Sequence, residues 1–291
     1  MNVERYLVAG LPETGKTTFL AALWHVVDSG EVSGSLVVSE VHGVRDHLNK
    51  IREQWLNCRQ LERTTIPSEK TVSFRLRDPR TQHVLELSLP DLSGETFRHQ
   101  WELRTWTESF DKLAVDASGL LLFVHPHTVI EPVRISPALD AIALAAAENH
   151  HSADHVTDTP ANEQTTVEPW SPAHTPTQVK LVEIVQFLRQ RPFLGRIMPT
   201  AVVVSAWDLI ENGGEPRNWL ERRLPLLDQF LRANAEGIPC EVYGVSAQGG
   251  ELSQATELQR HMKPSDRIKV MLSDGSITHD ITAPLKWLLE R

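Results

Sequence analysis

Short apolar runs alternate with stretches of helical spacing along nearly the whole chain. Tyr6–Ala9 is a buried-strand run that stops at Gly10. From Thr17 to Asp28, Phe19, Leu20, Leu23 and Trp24 fall on one face, which predicts a helix. A polar stretch with Gly30, Gly34 and Gly43 follows and reads as a loop. Asp46 to Arg63 returns to helical spacing, with Leu48, Ile51, Trp55 and Leu56 on one side. Thr71–Arg77 sets Val72, Phe74 and Leu76 against Ser73, Arg75 and Arg77, the alternation of a half-exposed strand. Asp78-Pro79-Arg80 is turn chemistry, and Val84–Leu89 alternates again, so the pair predicts an antiparallel hairpin.

The second half repeats the alternation. Ser109–Ala117 has helical spacing, and Gly119–Val124 is almost continuously apolar, as in a parallel strand covered on both faces. Ala138–Ala147 is an alanine-rich helical stretch and Gln178–Arg189 an amphipathic one. Thr200–Val204 and Val242–Val245 are buried-strand runs; Asn218–Ala233 and Pro284–Glu290 read as helices. Gln248–His279 is polar and loop-like around Ile268–Leu272. Strand–helix alternation of this kind predicts a doubly wound, mostly parallel α/β sheet with one antiparallel edge hairpin. With no repeat and no second core pattern, residues 1–291 read as a single domain. Between about residues 148 and 177 the composition shifts to Thr, Pro, His and acidic residues with few apolar anchors, which predicts a flexible insert.

Composition narrows the class. The chain has 291 residues, 41% hydrophobic and 23% charged, with a formal net charge of -9. That balance disfavours a general electrostatic grip on nucleic acid or anionic membrane. No apolar run approaches the roughly 18 residues of a membrane span. Cys58 and Cys240 make neither a disulfide framework nor a zinc constellation and read as buried thiols. A cytoplasmic protein is the resulting expectation. His150, His151, His155 and His174 cluster in or beside the insert, but no cysteine or strand would fix them as ligands, and a polar loop is the simpler reading.

The densest chemical signal is Gly10-Leu11-Pro12-Glu13-Thr14-Gly15-Lys16-Thr17, which matches G-x-x-x-x-G-K-[ST]. At average residue usage, about 0.01 such matches arise by chance in a chain this long. Its place between a buried strand and an amphipathic helix is the context that the motif requires. The glycines allow a tight turn whose N–H groups, including those of Glu13, Thr14 and Gly15, converge on phosphate oxygens. Lys16 adds a cation at the β and γ phosphates, Thr17 offers a hydroxyl to Mg²⁺, and Thr18 continues the helix whose positive pole faces the anion.

Three later segments each follow a strand. Pro90-Asp91-Leu92-Ser93-Gly94-Glu95 places a carboxylate for Mg²⁺ at Asp91 and a backbone N–H for a γ-phosphate at Gly94. Ser205-Ala206-Trp207-Asp208 is similar to the N-K-x-D base-reading box, with Asp208 able to accept both guanine donors. Here Ser205 and Ala206 stand where Asn and Lys are usual; the lysine stem normally covers the base plane. Asp208 also reads as a plain helix N-cap. Ser246-Ala247-Gln248 is similar to the S-A-[KL] box, whose backbone amides meet the guanine carbonyl.

In this order the boxes resemble the translation-factor and Ras-related (TRAFAC) class of P-loop GTPases, over nearly the whole chain. Pro90–Phe97, Thr177–Val182 and Ile281–Leu285 carry a closer resemblance to bacterial double-GTPase domains of conflict and defence-type gene neighbourhoods. The resemblance implies a Mg²⁺-dependent switch that binds GTP and GDP, hydrolyses GTP and acts on a partner protein. It also implies a threonine before the second strand that completes the Mg²⁺ shell; Thr64 is the first candidate and Thr65 the second. Glu95 stands where Ras-type enzymes carry the glutamine that orients water. Arg63 either neutralises transition-state charge in cis or forms a surface salt bridge. Two alternatives remain open: a P-loop ATPase or kinase, for which Arg98, Arg104, Arg189, Arg191 and Arg196 are too scattered to form a clear lid, and a nucleotide-binding scaffold with little hydrolysis.

Overall fold

The computed structural model describes residues 3–41, 43–61, 71–90, 95–132, 171–189, 196–210 and 214–291. Five parallel strands form the centre of its sheet: β1 (Val3–Ala9), β4 (Val84–Leu89), β5 (Gly119–Val124), β6 (Thr200–Ser205) and β7 (Cys240–Ser246). The full order is β2-β3-β4-β1-β5-β6-β7-β8-β9. β2 (Val37–Val41) and β3 (Val72–Arg77) run antiparallel at one edge, and β8 (Lys269–Met271) and β9 (Ile277–Thr278) at the other.

The continuous apolar runs sit in the middle for a physical reason. Every residue of β5 and of β6 is buried, because helices cover both faces there. Tyr6, Val8, Leu121, Phe123, Ala201 and Val203 point to one face and meet α1 (Lys16–Ser29), α2 (Arg45–Leu56) and the closing helix α8 (Ala283–Leu289). Leu7, Ala9, Leu120, Leu122, Val202 and Val204 point to the other. That face is covered by α3 (Glu95–Leu103), α4 (Glu108–Asp116), α5 (Thr177–Arg189), α6 (Pro216–Arg223) and α7 (Pro225–Ala233).

Several elements depart from the periodicity. α2 stops at Leu56 rather than near Arg63, and Cys58 turns the chain through a positive φ of 50°. The helix read over 218–233 is two helices. Pro225 has no N–H and holds Leu224 at φ -134°, ψ 58°, outside the helical region. The hairpin β3–β4 is joined by a second antiparallel edge, β8–β9, inside the segment that reads as loop. β2 also lies in a stretch read as loop; its residues are half-buried to exposed, so little apolar pattern marks it. α3, directly after the Asp91–Gly94 segment, is likewise absent from the sequence reading. The alanine-rich stretch 138–147 and most of the 148–177 segment lie outside the described residues; within the latter, Pro172–His174 forms a short 3-10 turn leading into α5. Among the described residues, no helix is long and apolar enough to cross a membrane.

Candidate functional site

The motif residues of the sequence gather at the carboxyl ends of β1, β5, β6 and β7, where open α/β sheets form their binding crevice. Gly10 leaves β1, and the chain turns back through Glu13 at φ 62° and Gly15 at φ 81° before α1 begins at Lys16. Gly15 is required twice over. Its φ lies in the left-handed region, and a Cβ there would stand 2.9 Å from Ser205 Oγ and 3.0 Å from Ser205 Cβ.

The Lys16 ammonium is nearly fully buried and donates to the carbonyls of Gly10 and Leu11, at 2.9 Å each. Thr14 Oγ1 donates to the Leu11 carbonyl at 2.8 Å, which closes the loop further. No acidic residue occupies the first turn of α1, so the positive pole of the helix is left for an external anion. Thr17 is half-buried in this first turn, its hydroxyl a hard oxygen donor of the kind Mg²⁺ prefers.

Beside the loop lies a cavity of about 300 Å³. Gly15 and Thr18 line its loop side; Ser205, Ala206 and Asp208 come from the end of β6; Ala247 and Gln248 come from the end of β7. Ser205 Oγ donates to the Val124 carbonyl at 3.2 Å, which ties β6 to β5 directly beneath the loop. Ala206 adopts φ 47°, ψ 46°, a left-handed turn that starts the 3-10 segment Trp207–Leu209 and leaves Asp208 exposed at the cavity. Trp207 is held by the absence of a side chain on β7: a Cβ on Gly244 would meet its ring at 2.3 Å. Ser246 is buried and takes no part in the lining; its hydroxyl accepts the Gly249 N–H at 3.2 Å and shapes the loop from behind.

The structure therefore brings Gly10, Glu13, Thr14, Gly15, Lys16, Thr17, Thr18, Ser205, Asp208, Ser246 and Ala247 to one edge of the sheet. Glu95 is the first residue of α3. Arg63, Thr64, Asp91 and Gly94 lie outside the described residues. Among the described residues, no group of three His, Cys, Asp or Glu side chains forms a metal cluster.

Four participants escape the motif reading. His125 lines the cavity, and its place directly after a fully buried central strand is the signal that could have found it. Burial and the neighbouring His127 push its pKa below the ordinary imidazole value, against the pull of Asp208 and Glu13, so the ring is neutral near pH 7. Arg59 and Leu61, on the turn after α2, close another side, and no sequence pattern marks them. Trp55, which helical spacing places on the apolar face of α2, also donates its Nε1 to the Ala247 carbonyl at 3.0 Å. Its ring is covered by the buried Arg267 guanidinium at 3.9 Å, and that cation also donates to Cys58 Sγ at 3.1 Å. The clasp fixes the loop after β7 against α2.

A glycine-lysine anion loop on a helix N-terminus, flanked by strand-end boxes in this order, defines the P-loop GTPase class. Within that class the particular family is shown by sequence: residues 7–288 match the model of DO-GTPase1, Double-GTPase 1. The chain belongs to the Double-GTPase 1 family and is a GTPase. No curated protein matches the sequence.

Among solved structures, the chain is similar to bacterial selenocysteine-specific elongation factor EF-Sec, with 14% identity and a TM-score of 0.40 over 89% of this chain and 28% of that one. It is similar to the Trypanosoma brucei small GTPase Arl6 BBS3 with bound GppNp, at 10% identity and TM-score 0.36, covering 89% of this chain and 96% of that one. The GTP-bound GTPase-like domain of Ski7 from S. cerevisiae shows 13% identity and TM-score 0.38, covering 85% and 43%. The chain thus spans well under two thirds of the elongation factor.

Proposed function

We propose that this chain is a Mg²⁺-dependent, guanine-selective GTPase switch, folded as one domain, whose nucleotide state governs a partner protein. The observation that carries the reading is the continuity of the anion loop with the Asp208 cavity through the Gly15–Ser205 contact. Phosphates on the loop amides would leave a base at Asp208, whose carboxylate accepts the ring N–H and exocyclic amine of guanine together. Ala247 and its backbone neighbours supply donors for the guanine carbonyl. Lys16 must exchange its carbonyls at Gly10 and Leu11 for phosphate oxygens, so the ammonium is already aimed where the anion arrives.

The hydroxyl of Thr17 fits a metal that keeps waters and phosphate oxygens rather than an all-protein cage. Thr17, Thr64 and Asp91 would hold Mg²⁺, which neutralises charge on the phosphates when bound. Gly94 offers an N–H to the γ-phosphate; Glu95 anchors the attacking water; Arg63 neutralises charge on the transferring group. Contacts from Thr64 and Gly94 to the γ-phosphate, made with GTP and lost with GDP, are how such a site would report its state to a partner. A place in a bacterial conflict or defence system is part of this proposal, carried by the resemblance of Pro90–Phe97, Thr177–Val182 and Ile281–Leu285 to double-GTPase domains of such gene neighbourhoods.

The test is GTP turnover with released phosphate as the readout. Lys16→Ala abolishes nucleotide binding. Glu95→Gln and Arg63→Ala keep binding and change the single-turnover rate by more than about tenfold. Rates equal to wild type would remove both residues from the catalytic set, and no turnover by wild type would leave a nucleotide-binding scaffold. Capture of one protein by the GTP-loaded form and not by the GDP-loaded form tests the switch.

A further inference from the structure

The lysine that usually covers one face of the base is missing, and Ala206 contributes only a methyl group there. The cavity nevertheless needs a flat apolar surface against which a purine can lie. Among the described residues that line it, two carry aromatic rings, Phe19 and His125. Phe19 is nearly fully buried and meets Phe123 edge-to-face at 5.1 Å, so its ring is committed to the core. His125 is half-buried, at the end of the strand next to β6, beside Ala206 and Asp208.

The His125 ring is held in place before any ligand arrives. Pro126 confines His125 to extended backbone, φ -120° and ψ 130°. The imidazole Nδ1 accepts the His127 N–H at 3.2 Å, and the His125 carbonyl accepts Thr128 N at 3.2 Å and Thr128 Oγ1 at 3.3 Å. Because Nδ1 is an acceptor, the neutral ring carries its proton on Nε2. A fixed, uncharged aromatic plane stacks on a purine with little ordering left to do.

We propose that the His125 imidazole covers the purine plane in this site, replacing the lysine that the chain lacks at position 206. The inference rests on the guanine-nucleotide reading of the cavity. A stack against a ring is tolerant of base identity, since every base has a π-face, whereas Asp208 discriminates by hydrogen bonds. The two contributions therefore separate experimentally.

Calorimetric titration of GDP and ADP in the presence of Mg²⁺, on the full chain, provides the test. His125→Ala weakens both nucleotides by the same factor, roughly tenfold, the size of one base–aromatic stack. His125→Phe, which keeps the plane but loses the acceptor for His127, binds GDP within about threefold of wild type. Asp208→Asn instead weakens GDP far more than ADP. Equal losses in the Ala and Phe variants would show that the imidazole only shapes the 126–128 turn and would overturn the proposal. So would an unchanged His125→Ala affinity, or a tenfold loss in Arg59→Ala with none in His125→Ala. Failure of wild type to bind GDP would overturn the guanine reading itself; the variant patterns overturn this inference alone.

Discussion

Gly15→Ala separates two demands that the phosphate loop places on one residue. The new methyl would sit at φ 81°, in the left-handed region. That conformation disfavours an L-residue by about 1–2 kcal/mol. The same Cβ would stand 2.9 Å from Ser205 Oγ and 3.0 Å from Ser205 Cβ. Ser205 cannot retreat freely, since it is buried at the end of β6 and its hydroxyl is bonded to the Val124 carbonyl. Relieving such an overlap in packed structure requires about 1–3 kcal/mol. The substitution is therefore expected to destabilise the nucleotide-free protein by about 2–5 kcal/mol. Ser205→Gly removes the opposing atoms, so the double variant recovers the steric part and retains the backbone part. Urea unfolding of the wild type, both single variants and the double variant gives the cycle. A single-variant loss below about 1 kcal/mol would refute the strain, and a coupling below about 0.5 kcal/mol would refute the contact.

Two further outcomes follow from the same geometry. Trp55→Phe removes the donor to the Ala247 carbonyl while keeping a ring under Arg267; a loss of about 1 kcal/mol in stability and roughly fivefold in GDP affinity is expected from unfolding and titration. Burial lowers the pKa values of His125 and His47, with His127 beside the first and the Lys50 ammonium beside the second adding to the effect. The unfolded chain then binds more protons than the folded one, so this stability is full above the ordinary histidine pKa of about 6.5 and is lost as pH falls below it. Unfolding free energy should decline between about pH 7.5 and 5.5, and His125→Phe should flatten the decline; a stability that rises on acidification in this range would contradict the assignment.

The parts of this molecule legible in the sequence are those where burial or backbone geometry leaves few choices of residue. β5 and β6 are covered on both faces, so each appears as an unbroken apolar run. The loop from Gly10 to Thr17 is legible because close approach and positive φ demand glycine at set positions. The edges were not legible: β2, β8 and β9 are short and partly exposed, so no period marks them. The helix over 218–233 misled because its apolar spacing survives the break at Pro225. At the candidate site, the type and order of Asp208 and Ala247 mark them in the sequence, and both line the cavity. His125, Arg59 and Trp55 did not, because a long-range approach such as Trp55 Nε1 to the Ala247 carbonyl, across 192 residues, leaves no local pattern.

In the proposed function, one crevice reads both the phosphates and the guanine edge. Titration of the wild-type chain with GDP and with ADP, each with Mg²⁺, tests it most directly. Two charge-assisted hydrogen bonds to Asp208, at about 1.5–3 kcal/mol each, predict GDP binding at least about 100-fold tighter than ADP, with the preference lost in Asp208→Asn. Equal affinity for the two nucleotides, or tighter binding of ADP, would overturn guanine selection by Asp208.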